Sequence, residues 1–111
     1  MIAQIQPSQF KAWIATQSGS VTLLDVREDL EVQTASVTAD GFVLKHIPMN
    51  DVPSRLNELS ADAPIACLCH HGARSQRVAQ FLTQNGFSNV SNIAGGIAQW
   101  TSTVDSRIPQ Y

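Results

Sequence analysis

The chain has 111 residues and a mass of 12.0 kDa, the size of one globular domain, which argues against a two-domain enzyme with a separate regulatory half. Hydrophobic residues make up 43% and charged residues 14%, with five prolines and six glycines dispersed along the chain, so disorder, collagen-like repeats and low-complexity tails are excluded. Seven basic against nine acidic residues give a formal charge of -2, with no electrostatic footprint for nucleic acid or an anionic membrane.

The first ten residues hold neither a basic stretch nor an apolar leader core, and no later segment approaches the roughly 20 apolar residues of a membrane span. A soluble cytoplasmic protein is expected. Pro7 and Ser8 precede Phe10, Trp13 and Ile14 at helical spacing, and Ser18-Gly19 supplies a stop, so a helix is predicted over residues 8–17. Val21 to Asp25 is a short apolar run ending on a carboxylate, the pattern of a buried strand. Residues 31–41 carry little periodicity, and Phe42 to Ile47 offers a second strand closed by Pro48. Asp51, with Pro53 in the first turn and Val52, Leu56 and Leu59 on one face, predicts a helix ending before Asp62.

Ile65 to Cys69 is the clearest strand. Beyond His70-His71-Gly72-Ala73-Arg74, Val78, Phe81 and Leu82 form a helical stripe that Asn85-Gly86 terminates. Phe87 to Ile93 reads as one more strand, and Gly95-Gly96 opens a last helix carrying Ile97 and Trp100. Strands alternating with helices in one domain indicate an α/β fold, a mainly parallel central sheet flanked by helices on both faces.

Cys67 and Cys69 are the only cysteines, and a disulfide between residues two apart would be strained, so free thiols in a reducing compartment are expected. In open parallel sheets ligands bind beyond the carboxyl ends of strands. Two strands end there on reactive groups, Asp25 and Cys69. Cys69 leads through a short loop containing Gly72 into a helix, so several backbone N–H groups can face one concavity at a helix N-terminus. That field favours thiolate over thiol and makes the sulfur nucleophilic, with Arg74, His70 and His71 adding donors or positive charge.

The run Cys69-His70-His71-Gly72-Ala73-Arg74-Ser75 resembles the active-site loop of single-domain rhodanese-like sulfurtransferases. Leu23-Leu24-Asp25-Val26-Arg27-Glu28 with Glu31 resembles the early strand-end motif of that family, and Gly95-Gly96-Ile97-Ala98-Gln99-Trp100 its C-terminal Gly-Gly and Trp motif. The likeness runs in order from about Ser8 to Trp100, within a single domain 1–111 whose residues 101–111 are expected to form a tail. It implies a rhodanese-like fold and ping-pong transfer: Cys69 takes a sulfane sulfur from a small anionic donor, thiosulfate or a persulfide, holds it as a persulfide and passes it to cyanide or a thiol. Residues 70–75 would bind the donor and the persulfide, with Asp25 and Arg27 in support. A thioredoxin-like or sulfur-relay protein is a further implied partner, and neither metal nor organic cofactor is required.

The family's Gly-His-Ile-Gly-Ala stretch has no counterpart in Thr34 to Lys45, although His46-Ile47-Pro48 matches the later part of that pattern. Four residues separate Cys69 from Arg74, one fewer than in phosphatases and arsenate reductases of similar fold, which suits a single sulfur better than a tetrahedral oxyanion. Plainer readings stand beside these. Cys67 lies deeper on the same strand face as Cys69 and is read as packing. Asp25 reads as a satisfied core carboxylate more readily than as a catalytic one, and Arg27 as an ion-pair brace or an anion-steering charge. A cluster of Cys67, Cys69, His70 and His71 could suggest zinc, but adjacent positions on a strand and tight loop converge poorly on one tetrahedral point. His70 and His71 divide between an exposed rim position and a loop-orienting one. Trp13, Phe81 and Trp100 are read as core aromatics.

Overall fold

A computed structural model describes residues 1–111. Five strands form one sheet: β1 (Ala3–Ile5), β2 (Thr22–Asp25), β3 (Val43–His46), β4 (Ile65–Leu68) and β5 (Val90–Ile93). Their order is β1-β5-β4-β2-β3, and every pairing is parallel, so the mainly parallel sheet expected from the sequence is parallel throughout. The helices are α1 (Phe10–Ala15), α2 (Asp29–Thr34), α3 (Ala73–Gln84) and α4 (Gly96–Thr103).

The period-two alternation of the strands divides the core. Leu24, Ile65 and Cys67 face Val78, Ala79 and Leu82 of α3, whereas Leu23, Ala66, Leu68 and Ile93 face Phe10 of α1 and Ile97 and Trp100 of α4. Helices therefore cover both faces. Phe10 packs edge-on against Trp100, with centroids 5.5 Å apart, and is stacked with Trp13 at 5.7 Å, so these rings are core as expected.

Four local expectations are corrected. The helix expected over 8–17 is a 3₁₀ turn at Pro7–Gln9 continuing into α1, which stops at Ala15. The helix expected after Asp51 is two 3₁₀ turns, Met49–Asp51 and Pro53–Glu58, broken by a non-helical Arg55 (φ -123°). The aperiodic stretch after Glu28 contains α2, closed by a capping box in which Glu28 and Glu31 each accept the other's backbone N–H. The supposed tail is helical to Thr103 and returns Ile108 to the core at 6% exposure. No helix is long and apolar enough to cross a membrane.

The strand order reverses between β2 and β4, which are neighbours with Asp25 opposite Leu68. The carboxyl ends of these two strands flank the crevice in which open α/β sheets hold their ligands. Asp25 and Cys69 both lie at that end of the sheet.

Candidate active site

Cys69 follows the last residue of β4 and is 1% exposed. The backbone N–H of Gly72 donates to its Sγ at 3.0 Å, so the chain curls around the sulfur. This curl requires a left-handed residue, and Gly72 has φ +108°. α3 starts at Ala73, so Ala73, Arg74 and Ser75, expected in the loop, form the first turn of the helix instead. Gly72 caps that helix without a side chain. No protein acceptor is bonded to the N–H groups of His70, His71, Ala73, Arg74 or Ser75. They form a set of donors at a helix N-terminus suited to an anion or a charged sulfur.

α4 holds the loop from behind. Ile97 N–H donates to Cys69 O at 2.9 Å and Ala98 N–H to His70 O at 3.1 Å, which fixes both carbonyls away from the amide side. Gly96 makes this approach possible, because a Cβ there would lie 2.5 Å from Cys69 O and closer still to His70 O. The Gly-Gly motif thus serves the loop as much as the helix.

Ser75, wholly buried, has one hydroxyl proton and three acceptors in reach: Cys69 Sγ at 3.2 Å, Gly72 O at 3.3 Å and Asn92 Oδ1, the nearest. Asn92 on β5 also donates through Nδ2 to Gly72 O at 3.1 Å and Gln4 Oε1 at 3.0 Å. Sequence context does not single this residue out, since Ser88, Asn89 and Ser91 are polar neighbours in the same stretch.

Arg74 does not stand free to meet an anion. Its two terminal nitrogens donate to Glu31 Oε2 and Oε1 at 2.7 and 2.8 Å. That bond holds the Glu31 carboxyl down at about 2 and raises the Arg74 guanidinium above its ordinary range. Asp25 and Arg27 form a buried pair, 2% and 0% exposed, in which Arg27 Nε and Nη2 donate to the carboxylate at 2.9 and 2.7 Å. Burial opposes the arginine charge, but the bonds to Asp25 and Tyr111 outweigh it and its pKa stands above the ordinary value. Arg27 also donates to Ala35 O at 2.8 Å, and His46 Nε2 donates to Arg27 O at 2.7 Å. The pair braces β2 and the chain leaving it.

His70 and His71 stack on each other with centroids 3.9 Å apart, and Tyr111 stacks on His70 at 3.9 Å and 6°. Burial, then the charge of His71, pushes the His70 imidazole below its ordinary range. His71 is the exposed member of the pair. Cys67 is fully buried among apolar side chains, and burial pushes its thiol up to about 12. A groove of about 620 Å³ beside Phe10, Phe42 and Trp100 includes none of these loop residues in its lining.

The site is therefore a buried sulfur at a strand end, bonded by one amide, followed by a run of amides without protein acceptors and braced by two ion pairs, a chemistry fitted to a thiol nucleophile and an anionic substrate. Residues 6–103 match the sequence profile of the rhodanese-like domain. The Bacillus subtilis protein named "Putative sulfur carrier protein YrkF" is 35% identical over 94% of this chain, which spans 54% of that relative's length. The thiosulfate sulfurtransferase GlpE of Actinobacillus pleuropneumoniae is 31% identical, with 87% of this chain and 84% of the relative aligned. The crystal structure of a rhodanese-like domain protein from Staphylococcus aureus superposes with a TM-score of 0.78 at 26% identity, covering 99% of each chain. Fold, loop and sequence agree, and the chain belongs to the rhodanese-like domain family.

Proposed function

We propose that this protein is a thiosulfate sulfurtransferase that carries sulfur as a persulfide on Cys69. The Cys69 thiolate attacks the outer sulfur of thiosulfate, a new S–S bond forms, and the old one breaks with its electron pair leaving on sulfite. Cyanide or a thiolate then attacks the outer sulfur of the persulfide, and the pair from the broken S–S bond returns to Cys69. No oxidant or reductant is consumed.

The observation that carries this reading is the seat of the Cys69 sulfur, held by Gly72 N–H at 3.0 Å beside five amides that bond no protein acceptor. These donors are in place before charge builds on the sulfane sulfur, which is the condition for electrostatic stabilisation without reorganisation. Because Glu31 neutralises Arg74, the amides are the main anion-binding element, and Arg74 acts as a brace of the helix turn. Two free thiols suit a reducing, cytoplasmic setting.

The test is thiocyanate formation from thiosulfate and cyanide together with intact-mass detection of one added sulfur. Both are expected in the wild type and absent in Cys69→Ser. Retention of full transfer by Cys69→Ser defeats the proposal.

A second reading, a sulfur relay loaded by a protein partner, draws support from the 1% exposure of Cys69 and from the carrier name of the Bacillus subtilis relative. It predicts a persulfide that forms with a protein donor and little turnover with free thiosulfate.

A further inference from the structure

We propose that Tyr111 is a specificity-determining residue for sulfur transfer, a side wall that keeps the approach to Cys69 narrow and favours small acceptors over bulky thiols. The inference rests on the sulfurtransferase reading and adds a residue that lies outside the segment matched to the family, 6–103.

The Tyr111 ring is nearly parallel to that of His70, 6° between planes at 3.9 Å, and His71 stacks with His70 at 3.9 Å. Three rings therefore stand on and beside the residues that directly follow Cys69. The tyrosine is fixed at its far end as well. Its hydroxyl accepts from Arg27 Nη1 at 2.9 Å and donates to Glu31 Oε1 at 3.1 Å. Both partners are themselves clamped, Arg27 by Asp25 and Glu31 by Arg74. Ile108, 6% exposed, anchors the segment in the core three residues earlier.

A stack at one end and two hydrogen bonds at the other hold a side chain that is still 39% exposed, the situation of a rim residue and not of a core one. Cys69, which directly precedes His70 in the chain, is itself 1% exposed. An acceptor must reach the outer sulfur of the persulfide along the S–S axis for the new bond to form as the old one breaks, so the width of this approach selects on size. Cyanide is a slim rod, whereas a thiol carrying a peptide has to displace the ring.

The experiment compares alkylation of Cys69 in the native protein by iodoacetamide and by fluorescein maleimide, read by intact mass for wild type, Tyr111→Phe and Tyr111→Ala. Cys69→Ser supplies the blank, since Cys67 is buried. The maleimide-to-iodoacetamide rate ratio is expected to rise about tenfold or more in Tyr111→Ala and to stay within about twofold of wild type in Tyr111→Phe, which keeps the ring. With thiosulfate as donor, kcat/KM for glutathione relative to cyanide is expected to rise by a similar factor in Tyr111→Ala. An unchanged ratio in Tyr111→Ala overturns the proposal, and so does an equal acceleration with both reagents, which signals general loosening. A protein silent with every sulfur donor overturns the sulfurtransferase reading, and the alkylation ratio still decides the role of Tyr111.

Discussion

Glu31 grips Arg74 through both carboxylate oxygens, at 2.7 and 2.8 Å, and so ties α2 to the first turn of α3 across 43 residues of sequence. The same carboxylate closes the α2 capping box at Glu28 N–H, 2.9 Å away, and accepts from Tyr111. One side chain thus joins the strand-end segment, the sulfur loop and residue 111. It also pairs off the charge of the arginine in the helix turn beside the sulfur.

Replacing Glu31 by glutamine keeps the shape and frees the Arg74 charge. The KM for thiosulfate is expected to fall severalfold at low ionic strength, and steady-state kinetics across a salt series should show the gain vanish as screening shortens to about 3 Å near 1 M salt. Stability should drop by about 1 kcal/mol or less, because both side chains are partly exposed to water. The Glu31 carboxyl is depressed from 4.5 to about 2, chiefly by its Arg74 hydrogen bond, so the pair's contribution is complete above pH 4.5 and is lost as pH falls towards 2. Acid denaturation curves of wild type should contain that component, and those of Glu31→Gln should lack it.

Asp25→Ala strands a guanidinium that is 0% exposed. Breaking one side of a buried pair costs about 3–5 kcal/mol, whereas the double change Asp25→Leu with Arg27→Met, which removes both charges, should cost distinctly less. Urea unfolding of the two variants gives the comparison. Equal losses would mean that the carboxylate acts through something other than its arginine.

Gly96→Ala should separate activity from stability. The new Cβ meets the carbonyls of Cys69 and His70 and forces the sulfur loop outward. A displacement of about 1 Å at a reacting centre lowers kcat/KM on the order of a hundredfold. Gly95→Ala meets Gln99 Cβ at 2.7 Å inside α4 and no loop carbonyl, so it should share the left-handed backbone cost, add a clash within the helix, and keep more of the turnover than Gly96→Ala.

Cys67→Ala should retain thiosulfate turnover within about twofold and lose about 1–2 kcal/mol from the cavity it leaves. Its thiol, raised to about 12 by burial, is protonated throughout the physiological range and is no nucleophile. Turnover and a denaturant midpoint measured on the same sample test both halves of the expectation.

The part of the site made from contiguous sequence was legible without coordinates. An apolar run ending at Cys69, then Gly72, then a helical stripe leaves few ways to arrange a sulfur, and the structure agrees at each of these positions. Segments that bury little were not legible. β1 is three residues long and buries only Ile5, so no alternation announces it. α2 buries none of its residues and therefore has no stripe, although Glu28 and Glu31 at capping-box spacing were its available signal. Residues acting from a distance were hidden for another reason. Asn92 and Tyr111 reach the loop from β5 and from beyond α4, and nothing in their own neighbourhoods reports what tertiary folding brings beside them.

The two amides that α4 gives to the loop, Ile97 N–H on Cys69 O and Ala98 N–H on His70 O, make helix and loop one cooperative unit. The loop cannot swing away without exposing both protons to solvent. Their hydrogen-exchange rates are thus a label-free clock for loop opening, and on the proposed persulfide mechanism they should slow when sulfur loads on Cys69 and recover when an acceptor removes it.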